Sequence, residues 1–123
     1  MRSAVPGNRQ RVSAIKKRAD FTVMRRGGEK YGAPGFLLLT RQNPENGDDI
    51  RFGLTVTKKL GNAVRRNRIK RRLRAVAREV LPASGAPGAD YVFIARGAAY
   101  DRNFDVMLDD LKRALLRLGR KSI

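Results

Sequence analysis

The sequence predicts an α/β sandwich: a small mixed sheet, reached in the order helix, strands, helix, strand, helix. Three observations carry that prediction. Two runs of strand length, residues 36–41 and 51–57, precede a long segment of helical period. A third apolar run, 90–95, follows it. A last segment of helical period, 103–118, closes the chain, and both helices are needed to cover the sheet. At 123 residues the chain has room for one domain with a small core. Residues 17–119 are assigned to that domain, 1–16 to a mobile basic arm, and 120–123 to a short tail.

Taken in order, the arm mixes Pro, Gly, Ser and basic residues, a composition that does not build a core. Residues 18–26 read as a short helix with Phe21 and Met24 on one face and Gly27-Gly28 at its end. Residues 36–41, FLLLTR, read as a strand. The connection NPENGDD holds Asn46-Gly47, the strongest hairpin signal in the chain, so the next strand is expected to pair antiparallel with the first. That second strand, RFGLTVT, alternates. Phe52, Leu54 and Val56 point one way; Gly53, Thr55 and Thr57 point the other and leave an open groove beside a helix. Asn62 is placed to cap a helix over 63–81, and Pro82 to stop it. After a PASGAPG loop, 90–95 reads as a buried strand. Asn103 then caps a final helix whose apolar stripe is Phe104, Met107, Leu108, Leu111, Ala114, Leu115 and Leu118.

The net charge is +17 and unevenly spread. Residues 1–30 carry +7, 31–50 carry −2, 51–78 carry +11 and 79–123 carry +1. Solubility alone does not call for such segregation. Phosphates supply the dense negative charge that clustered cations need, so nucleic acid is the expected partner. With no Cys and no His there is no disulfide or thiolate chemistry, and a zinc site is not expected. No apolar run has the length of a membrane span, and no apolar stretch follows the basic N-terminus as in a signal peptide. The expected location is the cytoplasm, with no membrane partner.

The charge peaks in the helix. From Arg65 to Arg78, eight of fourteen residues are basic and none is acidic. On a helical wheel Ile69, Leu73, Val76, Ala77 and Val80 fall within about 100° and form the buried face. Arg68, Arg71, Arg72, Arg74 and Arg78 project away from it and repel one another unless anions intervene. Arg66 falls on the apolar side by azimuth. In the first turn it escapes burial if the helix start projects past the sheet, beside Lys58 and Lys59 and the free backbone N–H groups that suit a phosphate.

From position 52 to 74 the chain reads FGLTVTKKLGNAVRRNRIKRRLR. This stretch resembles the signature of the bacterial ribonuclease P protein family, centred on Arg66-Asn67-Arg68. The resemblance extends upstream to RADFTVMRRG and downstream to DYVFIAR, about residues 11–118 in all. It implies the small subunit of a ribonucleoprotein endonuclease. There the RNA subunit holds the catalytic magnesium ions (Mg2+) and removes the 5′ leader of precursor tRNA, and the protein alone is inactive. It also implies an α/β sandwich whose basic helix lies in a left-handed crossover between parallel strands, against the usual hand. The implied partners are the catalytic RNA and precursor tRNA, with no obligate protein partner. The implied RNA-subunit contacts are Lys58, Lys59, Asn62, Arg65, Arg66, Asn67, Arg68, Lys70, Arg71 and Arg74. The implied leader cleft comprises Phe21, Arg25, Phe36, Leu38, Thr40, Thr55 and Thr57. Arg25 and Leu39 stand where the family often carries aromatics, which shifts the expectation from base stacking toward phosphate contact.

Other readings compete. A structural RNA-binding protein, such as a ribosomal one, has the same composition but lacks the contiguous KKLGNAVRRNRIKRRLR followed by an apolar strand and a last helix. A DNA-binding module is disfavoured, because a strand precedes the basic helix and a nearly all-Arg face fits backbone contact better than base readout. A protein-only ribonuclease needs an acid/base set. Asp105 and Asp109 are spaced i,i+4 but read as solvated charges at a helix start, and no nucleophile with a base is evident.

Overall fold

The computed structural model describes residues 11–15 and 28–121. Five strands, β1 (Val12–Ala14), β2 (Glu29–Gly32), β3 (Phe36–Gln42), β4 (Ile50–Thr55) and β5 (Ala89–Ala95), form one sheet in the order β1-β4-β5-β3-β2. The β1/β4 and β4/β5 pairs are parallel; β5/β3 and β3/β2 are antiparallel. Two long helices follow the chain, α1 (Ala63–Ser84) and α2 (Phe104–Lys121). The mixed sheet with its helices agrees with the expected α/β class, and α1 is the crossover between the adjacent parallel strands β4 and β5. The expected helix over 18–26 lies outside the described residues.

The helices cover one sheet face. Ile69, Leu73, Val76, Ala77 and Val80 of α1 are all buried, with Leu81 added. They share a core with Met107, Leu111, Ala114, Leu115 and Leu118 of α2 and with Phe36, Leu38, Phe52, Tyr91 and Phe93 of the sheet. Phe93 lies at the centre, edge-on to Phe36 with centroids 5.3 Å apart and to Phe52 at 6.3 Å. The stripe read from α2 is therefore its buried side. The Asn103 Oδ1 accepts from the Val106 N–H at 3.0 Å, as a helix cap should.

Four expectations are corrected. First, β3 and β4 do not form a hairpin; both pair with β5, which lies between them. A two-residue turn of the favoured type needs φ > 0 at Asn46, and no non-glycine residue described here has positive φ. Asn43 instead caps a 3₁₀ turn over Pro44–Asn46, accepting from the Glu45 N–H at 3.0 Å, and Asn46 reaches across to β5. Second, part of the supposed mobile arm is strand β1, hydrogen-bonded beside β4. Third, Pro82 does not stop α1, which runs on to Ser84. A proline in the last turn forfeits only its own bond to the Arg78 carbonyl, and Arg78 is exposed, so water can solvate that oxygen. Fourth, the strand read as 51–57 ends at Thr55. Edge strand β2 went unread because four residues with one half-buried side chain carry no period.

Candidate RNA interface

The basic surface is built at the start of α1. Asn62 accepts from the Arg65 N–H at 2.9 Å and caps the helix as read. Before it, a 3₁₀ turn over Lys58–Leu60 leaves both lysines exposed. The turn ends at Gly61 with φ 128°, where a Cβ would lie 2.5 Å from the Arg65 Cδ. Glycine here permits both the backbone conformation and the close approach of Arg65.

The arginines then divide into two sets. Arg71, Arg74 and Arg78 are exposed, as is Asn67, and Lys70 is half-buried. Arg65, Arg66, Arg68 and Arg72 fold back on main-chain carbonyls. Arg65 Nε donates to Leu60 O at 2.9 Å, and Arg66 Nε to Gly61 O at 3.0 Å. Arg68 Nε donates to Tyr100 O at 3.0 Å, and Arg72 Nε to Ala99 O at 2.9 Å, with a further bond from Arg72 Nη2 to Arg102 O. Thus Arg68 and Arg72 do not simply project into solvent. They are pulled toward a short turn, Gly97–Tyr100, that precedes α2. The Tyr100 ring lies under two guanidinium groups, 4.0 Å from Arg65 Cζ and 5.0 Å from Arg68 Cζ. Nothing in the sequence marks Tyr100 or Arg72 for this role, because the bonds join segments about thirty residues apart. No arginine of α1 forms an ion pair with an acidic side chain among the described residues. Positive charge of this density, with no acidic ion-pair partner among the described residues, suits a polyanion.

The sheet face away from the helices is the second element. Strand register sets three rows across it: Leu37–Ile94–Thr55, Leu39–Val92–Gly53 and Arg41–Asp90–Arg51. Leu39, Val92 and Ile15 are buried together, with Leu37 and Ile94 partly covered beside them. Thr55 lies on this face, as read, and Thr57 is exposed just past the strand. Phe36, Leu38 and Thr40 do not. Phe36 and Leu38 are fully buried on the helix side, and Thr40 lies opposite Tyr91, whose side chain is in the same core. The strand's parity is one residue out from the expected one, so Leu37, Leu39 and Arg41 replace them on the face away from the helices. Phe21 and Arg25 lie outside the described residues.

At the end of that face Asp90 is fully buried and saturated with donors. Arg51 grips it through Nε at 2.9 Å and Nη2 at 2.8 Å, Asn46 donates at 2.7 Å and Asn43 at 3.0 Å, and Arg41 approaches to 3.6 Å. Burial alone would raise the carboxyl's pKa; the bonds from Arg51, Asn46 and Asn43 outweigh it and hold the value below the ordinary 3.8. Asp105 and Asp109 are exposed, and no group of three metal-ligating side chains occurs among the described residues. Nor is any helix among them long and apolar enough to cross a membrane.

A helix-backed mixed sheet with an arginine-rich crossover helix defines a small basic α/β protein with a surface suited to a polyanion. The comparisons with known proteins are specific. The family model for ribonuclease P matches residues 10–119. The ribonuclease P protein component of Ruegeria pomeroyi is 47% identical over 109 residues, covering 87% of this chain and 86% of that one. That of Caulobacter vibrioides is 44% identical over 105 residues, covering 85% and 70%. Among solved structures, the Staphylococcus aureus RNase P protein superposes with TM-score 0.70 at 36% identity, over 85% of this chain and 93% of that one. The Thermotoga maritima RNase P protein superposes with TM-score 0.67 at 30% identity, over 91% and 97%. The chain belongs to the ribonuclease P protein family. Membership makes it a protein component of an RNA-binding, tRNA-processing endoribonuclease and implies partnership with ribonuclease P RNA.

Proposed function

We propose that α1 binds the catalytic RNA of ribonuclease P, and that the sheet face away from the two helices receives the single-stranded 5′ leader of precursor tRNA. The observation that carries the reading is the α1 surface: a run of arginines with no carboxylate partner among the described residues, three of them, Arg71, Arg74 and Arg78, exposed. Lys58, Lys59, Asn62, Arg65, Arg66, Asn67, Arg68, Lys70, Arg71 and Arg74 are the contact set. The lysines and arginines among them neutralise RNA phosphates and displace counter-ions, which lowers the magnesium the RNA needs to fold and act. Phosphate contacts of this kind position the RNA without reading its bases.

The chemistry belongs to the RNA and to Mg2+ ions held mainly by it. The absence of an acid/base constellation in the sequence motivates that assignment. On that sheet face the half-buried Thr55, Leu37 and Ile94 offer small polar and apolar contacts for unstacked bases and 2′-hydroxyl groups. Phe21 and Arg25 are assigned to the same leader contact from the sequence. Leader contacts give precursor tRNA an affinity that mature tRNA lacks. The test is Thr55→Glu in the assembled ribonucleoprotein, which sets a carboxylate on that face. The expected result is a loss of precursor affinity several-fold larger than the loss for mature tRNA. Equal losses for the two would remove the leader from this face.

A further inference from the structure

The turn at 97–102 meets α1 through more bonds than closing a loop requires. Its carbonyls at Ala99, Tyr100 and Arg102 accept from Arg72 and Arg68, and the Tyr100 ring lies beneath Arg65 and Arg68. The turn is itself braced from α2, where buried Asp110 accepts from Arg102 Nε at 2.7 Å. The consequence lies in which atoms remain. Arg65 and Arg68 spend their Nε edges on carbonyls, and their guanidinium planes lie against a ring. Their Nη groups make no hydrogen bond among the described residues. A long, charged side chain surrounded by like charges would otherwise sample many rotamers and lose that freedom on binding.

We propose that Tyr100 is a positioning residue for RNA recognition: its ring and carbonyl hold Arg65 and Arg68 in one arrangement, with their outer edges presented to phosphates. The inference rests on the reading that α1 is the RNA-binding surface. Tyr100 need not touch RNA. Its contribution is the pre-ordering of two cations that do, through the attraction of guanidinium for an aromatic face.

The test is the affinity of the full chain for transcribed ribonuclease P RNA across a salt series. Tyr100→Leu is expected to weaken binding on the order of tenfold, with no change in net charge. Tyr100→Phe keeps ring and carbonyl and is expected to rescue the affinity to within about twofold. With Arg65→Ala and Arg68→Ala already in place, Tyr100→Leu should add less than about twofold, since the groups it positions are gone. An equal loss with and without those arginines overturns the proposal, as does wild-type binding by Tyr100→Leu or a Tyr100→Phe loss as large as that of Tyr100→Leu. If Tyr100→Leu does not fold, Arg65→Lys against Arg71→Lys carries the test. Both keep the charge, but only Arg65 stacks on the ring, so a loss at 65 no greater than at 71 overturns the proposal. Arg71→Ala and Arg74→Ala separate the two levels, because neither side chain contacts Tyr100. Unchanged affinity in both removes the α1 interface and this inference with it. Weakened binding in both, beside an unaffected Tyr100→Leu, removes the inference alone.

Discussion

Asp90 is the residue on which one end of the sheet depends. It lies at the start of the central strand, fully buried, with Arg51 bidentate and two asparagine amides completing its shell. Asn43 and Asn46 belong to the β3–β4 connection, so the carboxylate pins a seven-residue link that has to pass over β5. Asp90→Asn removes the charge and leaves Arg51 and Arg41 facing a neutral amide. A loss of about 3 kcal/mol is expected in thermal or denaturant unfolding. Its pH dependence has a definite sign. Because folding lowers the Asp90 pKa below 3.8, the carboxylate's stabilisation is complete above that value and is lost as pH falls through the folded pKa. The gap between wild type and Asp90→Asn should be constant from neutrality down to about pH 5 and narrow below about pH 4. A gap that is the same at pH 3 as at pH 7 would contradict the ionised network. None of this was legible in the sequence. An acid at a strand start has many ordinary explanations, and its hydrogen-bonding partners lie 39 to 47 residues away.

At the scale of the element, α1 was legible and the sheet around it was less so. The helix announces itself through a cap, a period and an unbalanced charge, all of them local signals. Each of its predicted core residues is buried, and Asn62 caps it. Asn62→Ala should cost about 1 kcal/mol of stability, measured by thermal unfolding. Strand pairing is a long-range property. The Asn46-Gly47 pair pointed to a hairpin, yet the better partner for both flanking strands is β5, whose side chains fill both faces of the sheet. The parity of β3 was ambiguous for a related reason: FLLL is apolar at four consecutive positions, so alternation cannot say which side faces the helices. The fold decides it by placing Phe36 and Leu38 against Phe93 and α2. The helix also separates two kinds of arginine that composition treats alike. Arg68 braces the Tyr100 turn, whereas Arg71 is exposed. Arg71→Ala is therefore the cleaner probe of charge: RNA binding should weaken and the salt dependence should flatten by about one counter-ion, with stability unchanged. An unchanged slope would take Arg71 off the phosphate-binding surface.

For the molecule as a whole, charge and architecture divide the labour. The core lies between one sheet face and two helices, and the cationic surface lies along α1 and the turn before it. The family was legible because its signature falls on that helix, where basic residues and buried apolar residues interleave at a fixed period. What was not legible is how the surface is braced, since the Arg68, Arg72 and Tyr100 contacts exist only once α2 has brought the 97–102 turn against α1. The proposed role is service to a ribonucleoprotein by position and electrostatics, with the chemistry on the RNA. The most direct measurement is leader removal from a precursor tRNA at low magnesium, in three samples: ribonuclease P RNA alone, this protein alone, and the two together. Cleavage only in the mixture is the predicted result. Cleavage by the protein alone, or a mixture as inactive as its parts, would contradict it.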